Sequence, residues 1–144
     1  AIGFRGILPH REYLALLAEK KMSVLDLNGV QAWLGGEGFQ PASVLLTFDD
    51  GHQSHWMHAM PVLKEYGMKA VFFIPAAWVG DKDHLGWADL RAMVKEGFEI
   101  GSHGMKHIPW TGISPAELEE EIVISLGLIR KSSVRRYGSR IVAA

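Results

Sequence analysis

Cysteine is absent from the 144-residue chain. No disulfide framework is available, and any metal site has to be assembled from histidine and carboxylate. An excess of charge of one sign is lacking too: 15 Lys and Arg stand against 16 Asp and Glu, a formal net charge of −1. That balance offers no electrostatic footprint for nucleic acid. No polybasic run is present for a membrane surface. Long apolar runs are missing as well. The longest, Val71 to Val79, is broken by Pro75 and is too short to span a bilayer. The opening stretch AIGFRGILPHRE has no apolar core of the signal-peptide kind, although a removed signal leaves no trace. Internal repeats and low-complexity segments are also missing. None of these absences fixes a compartment.

What remains is ordinary globular composition, 48% hydrophobic and 22% charged, in a chain long enough for one domain with one sizeable core. Residues 10–21 place Tyr13, Leu14, Leu17 and Ala18 at helical spacing and predict an amphipathic helix. Ser23–Leu27 reads as a short strand, and a short helix around Val30–Leu34 stops at Gly35-Gly36. Pro41 precedes a strand over Ser43–Phe48. After Gly51, a helical face of Trp56, Ala59, Met60 and Leu63 is divided by Pro61 into a turn and a helix ending near Gly67. Lys69–Ile74 is a buried strand, Gly86–Gly97 a helix, and Phe98–Ser102 the next strand. Ile113–Lys131 is a helix with Ser114 as N-cap, Pro115 at its first position and Glu117 three residues after the cap. SVRRYG, from Ser133, starts a further strand.

Strand and helix alternate throughout, which argues for parallel βαβ units. Complete (β/α)₈ barrels need about 250 residues. The fold class is therefore α/β with parallel strands and outer helices, either half a barrel or an open sheet.

Two polar clusters interrupt the apolar pattern. Val44, Leu45 and Leu46 run into Thr-Phe-Asp-Asp-Gly, residues 47–51. Two adjacent carboxylates repel, and burial or a partner has to settle them. The second cluster, GSHGMKH at residues 101–107, follows the next core strand but one and sets His103 and His107 four apart. In a helix or tight helical turn that spacing puts both imidazoles on one side. In parallel α/β folds, sites gather at the C-terminal ends of strands. An Asp and two His make a three-ligand set for zinc or a similar ion with positions left open. The other carboxylate is then free to act as a base. The residues alone leave open which Asp does which.

Taken singly, each cluster has a bland reading: Asp-Asp-Gly is a common turn, and HxxxH is more often two surface histidines. It is the pairing, each at the end of an apolar strand, that favours a metal site. His52, His55 and His58 read as a solvated face, and His10 and His84 as surface. Most of the five tryptophans are assigned to the core; Trp78 and Trp110 lie beyond strand ends and could border a sugar site, with simple packing the favoured reading for both.

LLTFDDG followed some fifty residues later by EIGSHGMKH resembles the polysaccharide deacetylases, the NodB-homology group or carbohydrate esterase family four. The flanking segments YLALLAEKKMSVLDLNGVQAWL, PVLKEYGMKAVFFI, LGWADLRAMVKEGFEIGSH and SPAELEEEI extend the resemblance over most of residues 10–131. The resemblance implies a distorted TIM-like barrel, present in part, and a single domain over residues 1–144. It implies Asp49 as general base and Asp50, His103 and His107 as ligands of a divalent metal, usually zinc. It implies hydrolysis of an acetyl group from an N-acetylglucosamine-containing polysaccharide or an O-acetyl ester, in a secreted or cell-envelope setting. Thr47 and Ser102 would support the ligands by position, and Gly51 would complete a strained turn that lets two consecutive residues face one site.

The departures are specific. The family's third motif, Arg- and Pro-rich and ending in aromatic-Gly, meets only Arg135, Arg136, Tyr137 and Gly138, without proline; Tyr137 is the candidate substrate contact there. The later motifs, including the Leu-x-His segment that supplies the general acid, have no counterpart. The rival expectation is accordingly a non-catalytic metal- or carbohydrate-binding module on the same half-barrel. Exposed barrel edges would favour association with a second copy.

Overall fold

The computed structural model describes residues 9–37 and 42–131. Tyr137 and the strand expected from Ser133 lie outside the described residues.

Among the described residues five short strands and their helices alternate. α1 (Pro9–Glu19) leads into β1 (Ser23–Leu25), and α2 (Leu27–Leu34) follows. Asp26 caps α2 by accepting from Gly29 N at 2.9 Å, which starts this helix three residues earlier than the apolar spacing alone suggests. The expected strand over Ser43–Phe48 is interrupted at Leu46. Its first part, β2 (Ser43–Leu45), pairs with β1, and its second, β3 (Thr47–Asp49), pairs with β4 (Val71–Ile74). β5 (Glu99–Ser102) then pairs with β4. Every one of these pairings is parallel. Within each of the two sheets, β1-β2 and β3-β4-β5, a strand lies beside the next in sequence, the order of a winding (β/α) barrel rather than of a doubly wound sheet. The described residues form part of such a barrel.

The alternation of side chains sorts the strands into two faces. Phe48, Phe72, Ile74 and Ile100 join Leu14, Leu17, Leu63, Leu90, Met93 and Ile129 in the large core between strands and helices. Phe72 is its centre: it stacks on Phe48 at 4.9 Å and meets Phe98 edge-on at 5.7 Å. On the opposite face Val71 and Phe73 pack with Leu27. β4 is buried along its whole length, so its sequence is a continuous apolar run.

Several expectations need correcting. Over residues 11–19 of α1 only Leu14 and Leu17 are buried, and Tyr13 stands 46% exposed. This helix reaches the molecule along one narrow row, tied to α3 (Met60–Glu65) by Arg11, which donates twice to Glu65 at 2.6 and 2.7 Å. The segment before α3 is a π-helical turn, His55–Ala59. Pro61 has no N–H to continue an α-helical ladder, and the chain widens so that Met60 N bonds His55 O. That wider turn brings His55 to the core side. Its ring lies 5.5 Å from Phe48 and 5.6 Å from Phe72, so His55 is not part of a solvated face, while His52 and His58 are exposed. No tryptophan is fully buried: Trp33, Trp56 and Trp110 are exposed, and Trp78 and Trp87 half-buried. α4 (Trp87–Lys95) follows its predicted span. The final helix is continuous but mixed: α5 (Pro115–Glu119), a π turn over Glu120–Ile124, and α6 (Ser125–Ile129). Among the described residues no helix is long and apolar enough to cross a membrane.

Candidate metal centre

β3 delivers Asp49 at its C-terminal end, and the chain then turns at once. Asp50 has φ +72° and Gly51 φ +66°, two successive left-handed residues. Asp tolerates this region better than most side chains. Gly51 has a second reason to be glycine: a Cβ there would stand 2.9 Å from Cδ1 of the buried Ile74. The turn breaks the alternation of the strand, so Asp50 swings over the end of the sheet while Asp49 remains exposed on the strand end.

Beyond β5 the backbone continues its pairing for one more residue, His103 N donating to Ile74 O at 3.0 Å. It then leaves the sheet in a loop, not a helix. Gly104 at φ +82° and His107 at φ +57° fold residues 103–107 back on themselves. The four-residue spacing therefore brings the imidazoles together by a different route from the helical one expected from sequence. Their ring centroids are 4.8 Å apart.

The two clusters converge. Asp50 Oδ1 lies 3.3 Å from His107 Nε2 and 3.7 Å from His103 Nε2. One ligand atom from each of the three residues falls within 4.8 Å of the others. Oδ1 is shielded from solvent and has no hydrogen-bond partner. A shielded carboxylate oxygen without a donor is costly, and a cation among the three atoms would satisfy it. Two imidazole nitrogens and one carboxylate oxygen are the donor set of zinc and related ions. The residues present fit a divalent metal.

The surroundings are aromatic on one side and open on the other. Trp78 tilts over His107 at 5.1 Å, and His84 lies 5.1 Å from Trp78 in turn. His84 is thus half-buried against Trp78 rather than on the surface, and it bridges to His52 by backbone pairing. An open cleft of about 440 Å³ adjoins the histidines, lined by His103, His107, Ile108, Pro109 and Trp110.

Of the remaining predicted residues, Thr47 is half-buried at the start of β3 in register with Val71, two residues before Asp49. Gly51 is buried and accepts from Leu85 N at 2.8 Å. Ser102, 1% exposed, accepts from Gly104 N at 3.3 Å and shares a hydrogen bond with Ser125 at 2.8 Å. Sequence reasoning passed over Glu121 and Ser125, both buried beneath the histidine loop. Their signal was present but drowned. Glu121, Ser125 and Ile129 recur every fourth residue as the buried stripe of the last helix, while Leu118, Val123, Ile124 and Leu128 scatter apolar character over its exposed sides.

The sequence profile of the family described as "Polysaccharide deacetylase" matches residues 37–138. The chain belongs to the polysaccharide deacetylase family. The relatives include the protein named "Putative polysaccharide deacetylase YxkH" of Bacillus subtilis, 39% identical over 85% of this chain and 38% of its own length. A chitooligosaccharide deacetylase of a Bradyrhizobium species is 33% identical over 62% of this chain and 40% of its own. Among solved structures the deacetylase PplD of Streptococcus pyogenes, determined with acetate, superimposes with a TM-score of 0.80 at 23% identity, covering 85% of this chain and 56% of its own; at that identity the likeness is one of fold. This member of the family spans about two fifths of the length of these two sequence relatives.

Proposed function

We propose that the chain carries the metal-holding part of a divalent-metal-dependent deacetylase, acting on acetylated glycans that contain N-acetylglucosamine. The observation that carries the reading is the convergence of Asp50, His103 and His107 on one point, with Asp50 Oδ1 shielded and without a donor. The family membership supports the reaction class, and the name of the Bradyrhizobium relative supports an N-acetylated amino-sugar substrate.

Asp50, His103 and His107 would hold the ion, with zinc favoured by the nitrogen-rich donor set. When bound, the ion supplies Lewis acidity at the acetyl carbonyl and lowers the pKa of water. The chain's own residues then divide the work. Asp49 remains outside the ligand set, exposed at the end of β3, where its carboxylate accepts the proton of the attacking water as general base. His103 and His107 present Nε2 toward Asp50, so that the three ligand atoms face one point. Trp78 packs its ring against one side of His107. The cleft beside Trp110 leaves room for a sugar residue.

Metal analysis of purified wild type against His103→Ala tests the ligand set. We expect near-stoichiometric metal in wild type and loss of it in the variant; equal content in both removes His103 from the site. Asp49→Asn is expected to keep its metal and lose acetate release by about 10²-fold or more. Undiminished release by that variant would take Asp49 out of the mechanism. A wild type that binds metal and glycan but releases no acetate favours the binding-module reading instead.

A further inference from the structure

The histidine loop leaves the sheet without becoming a helix, and its backbone has to find partners elsewhere. Residues of the last helix supply them. Glu121 is 1% exposed. Its Oε2 accepts from Met105 N at 2.7 Å, and Lys106 N donates to Oε1 at 3.0 Å and to Oε2 at 3.2 Å. Ser125 Oγ reaches Ser102 Oγ at 2.8 Å, and Ser102 Oγ accepts from Gly104 N at 3.3 Å. Three successive amides, of Gly104, Met105 and Lys106, are thereby held from below. On the other side Ala76 N donates to Gly104 O at 3.0 Å and Ala77 N to Met105 O at 2.9 Å. The contact with Glu121 is close enough to dictate sequence. A Cβ on Gly104 would stand 2.6 Å from Glu121 Oε2, so the loop needs glycine there for room as well as for its positive φ.

A carboxylate buried this far from solvent is expensive unless it is fully engaged, and a helix interior has no structural need of one. Glu121 serves no part of the reaction by contact, and the ligands on either side of the amides it holds are His103 and His107. From this geometry we infer that Glu121 is a positioning residue for the metal ligands. It fixes the loop between the two histidines so that both Nε2 atoms already face Asp50 before any ion arrives. Ser125 and Ser102 extend the same brace to Gly104. The inference rests on the metal reading of the site and names the residue that pre-forms it.

Glu121→Gln keeps the volume but places an amide N–H₂ where one of the loop N–H groups must be accepted. Co²⁺ is a suitable probe, read by its visible absorption and by chelator competition for its Kd, alongside far-UV circular dichroism of the metal-free protein. Wild type is expected to bind one Co²⁺. Glu121→Gln should retain its helical dichroism yet bind Co²⁺ at least about tenfold more weakly with an altered spectrum, the range for partners that orient ligands. Glu99→Gln is the control, since Glu99 also accepts a backbone N–H (Leu27 at 2.9 Å) but at the opposite end of β5; its Kd should equal that of wild type. Equal Kd and spectrum for Glu121→Gln and wild type overturn the inference. Failure of wild type to bind Co²⁺ overturns the metal reading instead. If Glu121→Gln does not fold, amide exchange in the metal-free wild type decides: the Met105 and Lys106 amides should be protected without metal, and exchange at loop rates overturns the inference.

Discussion

Asp50 and Gly51 show how a two-residue turn converts a strand end into a site. A straight strand sends consecutive side chains to opposite faces, yet here Asp50 reaches His103 and His107 across the end of the sheet. The positive φ of both residues makes this possible, and the Ile74 side chain fills the space that a Cβ on residue 51 would need. Gly51→Ala combines backbone strain with that contact and should cost about 1–3 kcal/mol of stability. Urea unfolding checks it, and a variant as stable as wild type would show that the turn relaxes freely. At this scale the sequence was informative about which polar residues gather at the strand ends, where Asp50, His103 and His107 meet. Asp49, Asp50, His103 and His107 stand out because packing alone seldom puts charged and imidazole side chains at the ends of apolar strands. The route by which the histidines meet was not legible, because a four-residue spacing has the same appearance in a helix and in a loop closed by Gly104 and His107. Glu121 was not legible either, since a glutamate in a Glu-rich helix looks like solvent-facing charge until the fold buries it.

Among the elements, the last helix carries the clearest local signal and a testable titration. Ser114 Oγ accepts from Glu117 N, and Glu117 Oε2 accepts in return from Ser114 N at 2.8 Å and Ser114 Oγ at 2.7 Å. These hydrogen bonds hold the Glu117 carboxyl below its ordinary value of 4.5. A depressed carboxylate adds stability above pH 4.5 that is lost as pH falls through its folded-state value. Glu99 has the opposite sign: burial pushes its carboxyl up, against the hydrogen bond from Leu27. Its stability contribution is present below pH 4.5 and lost as pH rises through the raised value. Subtracting the pH profile of Glu117→Gln from that of wild type isolates the cap. The difference should be flat above pH 4.5 and shrink below it, while Ser114→Ala should cost about 1 kcal/mol at neutral pH. A difference that grows on acidification would mean that the box does not form. This cap was readable from Ser114, Pro115 and Glu117 because capping is local. The break of the Ser43–Phe48 strand at Leu46 was not, because it depends on which neighbour each half pairs with.

The whole molecule is organised around one aromatic centre. β3, β4 and β5 contribute Phe48, Phe72 and Ile100 to the same face, and the helices close over it with Leu63, Leu90, Met93 and Ile129. Phe72 is 0% exposed and touches rings from three different segments, Phe48, His55 and Phe98. The parallel order behind this centre was legible from the alternation of strands and helices, while the pairing of the core rings was not, since it depends on where the π-helical turn places His55. Phe72→Ala removes the ring contacts with Phe48, His55 and Phe98 at once and should cost about 3–5 kcal/mol, a large part of the roughly 5–15 kcal/mol that holds such a domain together. Because β3 and β5 are both hydrogen-bonded to β4, the site they carry should not outlast the core. Unfolding followed by circular dichroism and by tryptophan fluorescence, with Trp78 beside His107, should therefore superimpose in both wild type and Phe72→Ala, at a lower midpoint in the variant. Two separated transitions, with the signal from the site persisting after the helices melt, would show that the candidate metal centre is held by its own loops and not by the sheet beneath them.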